Sequence, residues 1–175
     1  AGRTFAEVHL PYRNKRIIRN LGTIVCWLTV AGMLYHAAGE GIDMSLKLHM
    51  IIYFCFFFVG MTGILESHQR LPPDSARTIL SLALILSGFV WNAHATAMAE
   101  PVNRNVHLYL GYINLADGLS FAYSVMQPQS IGAHITTWAL LVVQGIWLFY
   151  IAFYLCCVEL DEFMVEAHLA LVIFL

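Results

Sequence analysis

Charge is what this 175-residue chain has least of: nine basic and eleven acidic residues make up 11% of the positions, against about 25% in an ordinary soluble domain. A net charge of -2 leaves neither the basic footprint of a nucleic-acid binder nor an acidic tail. No nucleic acid is expected among its partners. The four cysteines, Cys26, Cys55, Cys156 and Cys157, lie inside or at the edge of apolar runs and make no CxxC pair. Cysteine in such a setting is a small buried hydrophobe, and no disulfide framework is indicated. The nucleophile elbow, the phosphate-binding loop, the dinucleotide fingerprint and HExxH are also missing. Serine-hydrolase and nucleotide-dependent chemistry have no support.

Hydrophobic residues occupy 59% of the positions. Runs free of Asp, Glu, Lys and Arg cover 20–39, 48–65, 78–99 and 118–158, and about 20 such residues cross a bilayer core as a helix. Strand-like alternation is absent, and in lipid the backbone must satisfy its own hydrogen bonds. The expected fold is an all-α polytopic membrane bundle of at least six helices. Five are expected at about 17–38, 48–65, 76–98, 105–126 and 131–155, the Gln127–Ser130 segment breaking the longest run. A sixth begins near Asp161. Residues 1–16 read as a polar cytosolic segment, and 17–175 as the bundle, truncated in its last helix.

Short connections make consecutive helices antiparallel neighbours and decide which turns share a side. Seven basic residues, Arg3, Arg13, Lys15, Arg16, Arg19, Arg70 and Arg77, fall on the side of the N-terminus, and two, Lys47 and Arg104, on the other. The positive-inside rule therefore puts the N-terminus in the cytosol. The same parity gathers histidines at the lumenal or exterior end, where His36 ends the first helix, His49 begins the second, His94 lies near the end of the third and His107 begins the fourth.

Imidazoles and carboxylates from different helices are the usual materials of a transition-metal site in a bundle. The candidate ligands are His49, His94 and His107 with Glu162 or Glu166 from the start of the sixth helix. A bound metal demands that at least three of these atoms lie about 2.0–2.2 Å from one point. Haem b, held by two histidines at matching depth, is the less favoured cofactor. Against both stands the ease with which histidines and carboxylates sit at a wet headgroup boundary.

A second set of polar residues is Asn92, Asn105, Asn114 and Asp117. Asp117 lies well inside the fourth helix, where a carboxylate is costly and is expected to face the bundle interior. Asn114 shares a face with His107, Gly111 and Gly118, a pattern that suits close helix packing with a hydrogen bond across the interface.

The segments LHMIIYFCFFFVGMTGIL, FVWNAHATAMAEPVNRNVHLYL, LLVVQGIWLFYIAFYL and DEFMVEAHLALVIFL follow one another from His49 to the end. In this order they resemble the transmembrane protein 45 family, multi-pass proteins of eukaryotes containing a domain of unknown function. The most specific match is Gln144, Gly145 and Trp147, followed by Ile151-Ala152-Phe153, which looks like the family's QGxW…IGF segment. The resemblance implies about seven helices, membrane residence and no established reaction. It matches His49, His94 and His107 to family histidines. Where the family has paired histidines on each side of the hairpin, this chain has Asn92-Ala93-His94 and Asn105-Val106-His107. Asparagine hydrogen-bonds readily but is a poor ligand for a transition metal.

The expected function is that of a multi-pass protein of a eukaryotic endomembrane, plasma or organelle membrane, without a catalytic motif. It would serve as a structural or accessory subunit, with membrane lipids and other membrane subunits as partners. One alternative is a metalloprotein, an oxidase or hydrolase acting on lipid. Another is a haem-b or proton-conducting protein centred on His94, His107 and Asp117.

Overall fold

The computed structural model describes residues 15–39 and 44–157. Five helices fill them: α1 (Lys15–Gly39), α2 (Met44–Ser67), α3 (Ser75–Thr96), α4 (Pro101–Met126) and α5 (Ile131–Cys157). No strand occurs among the described residues. The count corrects the expectation of six or seven: five helices lie within the described residues, and the sixth, expected from Asp161, lies outside them. The expected boundary at residue 17 also moves, because helix already includes Lys15 and Arg16.

Four of the five, α1, α2, α3 and α5, are long and apolar enough to cross a membrane. By composition α4 falls short, because Asn103, Arg104, Asn105, His107, Asn114 and Asp117 all lie within it. Its start differs from expectation for a local reason. Glu100 stands at the N-cap, its carboxylate accepting from the backbone N–H groups of Val102 (3.0 Å) and Asn103 (2.7 Å), with Pro101 in the first helical position. A carboxylate there satisfies orphan donors and complements the helix dipole, so the helix begins at Pro101 rather than near Asn105.

The helices pack chiefly on their chain neighbours, α1 on α2, α2 on α3, α3 on α4 and α4 on α5. Lipid offers no hydrophobic force between helices, so close approach depends on small residues. Gly22 of α1 lies so near Gly60 of α2 that a methyl group on either would meet the other's carbonyl oxygen. Along α3 the buried Ser81, Ser87 and Gly88 are the small residues that meet α4, at Gly118, Asn114 and Gly111. Large apolar side chains point outward instead, Trp27 being 70% and Phe149 74% exposed, as suits a surface solvated by lipid tails.

The turn between α2 and α3 is held by Glu66, whose carboxylate accepts from the backbone N–H groups of Asp74 (3.0 Å) and Ala76 (2.7 Å). Gln69 and Asp74 adopt the left-handed conformation at φ 60° and 67°. Between α4 and α5, the Ser130 hydroxyl accepts from Ala133 N–H and His134 Nε2 donates to the Pro128 carbonyl.

Candidate functional site

Four helices each deliver one histidine to the same end of the bundle. His36 of α1 stacks on His49 of α2, ring centroids 4.8 Å apart and planes 13° from parallel. His49 meets His94 of α3 edge to face at 4.9 Å, and His94 meets His107 of α4 at 5.2 Å. Trp91, one turn before His94, touches three of these rings, at 5.4 Å from His49, 5.9 Å from His94 and 5.2 Å from His107. Tyr53 lies 5.6 Å from His36. The His107 Nδ1 donates to the Asn103 carbonyl at 2.7 Å, which leaves Nε2 of the neutral ring as an acceptor.

The contacts form a file of imidazoles running across four helices. Among the described residues, however, no group of three or more His, Cys, Asp or Glu is arranged to hold a metal ion. His49, His94 and His107 are thus brought together as packed rings. Glu162 and Glu166, the carboxylates expected to complete a ligand set, lie outside the described residues.

Below the file, Asn114 is the hub of a hydrogen-bond network linking three helices. Its Oδ1 accepts from the Ser87 hydroxyl of α3 at 3.0 Å and from Gln144 Nε2 of α5 at 3.1 Å, while its Nδ2 donates to the Leu110 carbonyl at 2.8 Å. Three residues further along α5, Trp147 is 1% exposed and its indole N–H donates to the Val106 carbonyl at 3.3 Å. It packs with Val102, Val106, Leu110 and Ile151. Gln144 and Trp147, the polar members of the QGxW match, are therefore both links from α5 to α4. Gly145 has nothing within 4 Å of where a side chain would begin.

The four residues of the second polar set, Asn92, Asn105, Asn114 and Asp117, have different surroundings. Asn114 alone carries hydrogen bonds between helices. Asn92 Oδ1 is buried without a hydrogen-bond partner, its amide lying where a side chain on Gly111 would have to go. Asn105 is half-buried and stands apart from the Asn114 network. Asp117 is fully buried, and neither carboxylate oxygen has a hydrogen-bond partner. Length and spacing could not supply this division, because the partners of Asn114 come from positions 27 and 30 residues away.

An open groove of about 370 Å³ lies between α2, α3, α4 and α5, its walls mostly apolar, with Ile52, Phe56, Trp91 and Leu110 among them, and with Asn114 and Gln144 as its polar side chains. Trp91 joins it to the imidazole file. At the opposite end of α3, Arg77 is buried, donating through Nη2 to the Ser124 hydroxyl of α4 at 2.8 Å and through Nη1 to Asp74 at 3.3 Å. From sequence Arg77 reads as a charge of the loop between α2 and α3, solvated or in an ion pair, and the pair with Asp74 fits the second of these. Its position at the first turn of α3, opposite the last turn of α4, is what draws it inward. Trp91 too reads from sequence only as a packing or interfacial residue, although its place one turn before His94 was a usable signal.

No protein-family model matches the chain.

Proposed function

We propose that this chain is a multi-pass integral membrane protein without catalytic machinery, a structural or accessory subunit of a larger membrane assembly, akin to the transmembrane protein 45 family. The observation that carries the reading is the way interior polar groups are used. The Ser81 hydroxyl donates to the Gly118 carbonyl, Ser87 and Gln144 donate to Asn114, Ser120 bonds Thr137, and Trp147 donates to the Val106 carbonyl. Each bond ties one helix to the next, and such ties hold register where lipid supplies no driving force. The broad apolar surface of α1 and α5 suits coverage by lipid or by a neighbouring subunit.

The reading is tested by native electrophoresis and cross-linking of the full chain in its own membranes. A discrete species heavier than the 19.7 kDa chain, with one defined partner, is expected. A monomer that cross-links to nothing overturns it.

A second reading is favoured by the imidazole file alone. Here His49, His94 and His107, with His36 beside them and Glu162 or Glu166 added, form a lumen-side histidine cluster that binds a transition metal, serving an oxidase or hydrolase acting on lipid. Haem b is the variant in which two of the imidazoles are axial ligands. Metal analysis and an absorption spectrum of the purified protein decide it: one metal equivalent per chain, lost in His94→Ala, supports the site, and metal-free protein with no Soret band removes both forms.

A further inference from the structure

We infer that the groove between α2 and α5 is the seat of a segment of this same chain, 161–175, which lies outside the described residues and descends through the groove with Glu162 and Glu166 beside the imidazole file. The inference rests on neither reading of function above.

The walls of the groove have the spacing of a helix seat. On α5 they are Leu141, Gln144, Gly145 and Leu148, one stripe at i, i+3, i+4 and i+7, and on α2 they are Ile52 and Phe56, one turn apart. Nothing lies within 4 Å of where a side chain on Gly145 would begin, and helices in membranes approach one another most closely across such small residues. Leu148, on the same wall, is 45% exposed. Its neighbour Trp147 is 1% exposed, packed on the α4 side with Val106 and Leu110. Among the described helices α5 packs chiefly on α4, so its groove face is left for something else.

Direction and length select the occupant. The Trp147 indole donates to the Val106 carbonyl, beside His107, so α5 has returned to the imidazole end by that point. It continues to Cys157, about 15 Å further along its axis. Residues 158–175 follow it, and a short connection makes the next helix an antiparallel neighbour. A chain that turns after Cys157 and descends beside α5 draws level with the imidazoles at about Glu162 to Glu166. It draws level with Leu148 and Gly145 at about Leu169 to Ile173.

Composition fits those two levels. Glu162, Glu166, Leu169 and Ile173 follow i, i+4, i+7 and i+11 and share one helical face. Its two carboxylates fall where four imidazoles gather, and a ring N–H gives a carboxylate a charge-assisted hydrogen bond. Its two apolar side chains fall where the walls are apolar, and 169–175 carries no polar side chain at all. A lipid tail would match the walls but offers no carboxylate to the imidazole end.

The test is photo-cross-linking of the full chain in its own membranes, with p-benzoylphenylalanine at Leu148 and the adduct located by mass spectrometry. A link to 161–175 is expected, on a species that keeps the 19.7 kDa of the single chain. The same group at Phe149, which is 74% exposed, should link outside that segment. Gly145→Phe fills the seat and should lower the Leu148 yield severalfold. Lipid adducts alone at Leu148, a cross-linked species of twice the mass, or equal linkage to 161–175 from both positions overturns the inference. Should the group at Leu148 prevent folding, Phe56 on the opposite wall takes it as one aromatic side chain for another, and the same outcomes decide.

Discussion

At the scale of single residues, Asn114 is the side chain on which most depends. One carbonyl oxygen serves donors from two other helices, Ser87 and Gln144, so its loss leaves the Gln144 amide without that acceptor and sends the Ser87 hydroxyl back to the Leu84 carbonyl of its own helix, 2.9 Å away, untying both links to α4. Hydrogen bonds between membrane helices contribute about 0.6 kcal/mol on average and up to about 1.7. Asn114→Leu should therefore destabilise the bundle by about 1–2 kcal/mol, whereas Gln144→Leu should cost about half as much because Ser87 keeps its acceptor. Reversible unfolding in mixed micelles measures both, and equal stability of Asn114→Leu and wild type would contradict the network. The sequence marked Asn114 as a polar residue on a small-residue face. It could not separate it from Asn92 and Asn105, because an amide's usefulness depends on which carbonyls and hydroxyls the neighbouring helices present.

Elements are governed by their ends. The apolar runs placed the helices to within a few residues, and the Gln127–Ser130 break marks the junction of α4 and α5 as read from sequence. A misplacement of four residues came where a polar stretch, Asn103-Arg104-Asn105, reads as a turn, yet Glu100 and Pro101 make it the first turn of α4. Glu66 does comparable work from a distance, capping the start of α3 from the end of α2. Replacing Glu66 by Ala should cost about 1 kcal/mol, the usual worth of a helix cap. Hydrogen exchange should locate the loss: the amides of Asp74 and Ala76 exchange faster in the variant, while those of α5 are unchanged. Uniform acceleration across all five helices would mean that Glu66 does something other than cap.

For the whole molecule, the arrangement of turns sets which groups share a membrane face. Antiparallel succession brings His36, His49, His94 and His107 to one end and Glu66, Asp74 and Arg77 to the other. The positive-inside rule predicts a cytosolic N-terminus, an orientation that would turn the histidine end toward the lumen or exterior. A glycosylation acceptor carried on a flexible insertion between α3 and α4 should be modified in a eukaryotic cell, and the same insertion between α2 and α3 should not. The reverse pattern would invert the orientation.

The sequence by itself determined that the chain is helical, with runs long and apolar enough to cross a membrane, where the five described helices run to within a few residues, and which of their ends lie together, because hydrophobic length and alternating direction are local properties that need no partner. Parity alone grouped the four histidines at one end. Only the tertiary structure decided that their rings meet in a file without forming a metal-binding group, that Trp91 bridges three of them, that Asn114 is bonded and Asn92 is not, and that Arg77 is drawn inside. Those outcomes depend on rotation of each helix about its own axis and on the fraction of an ångström by which Gly22, Gly60, Gly88 and Gly111 let their neighbours approach. Side-chain chemistry across an interface is settled at that resolution, to which the spacing of residues along one chain is blind.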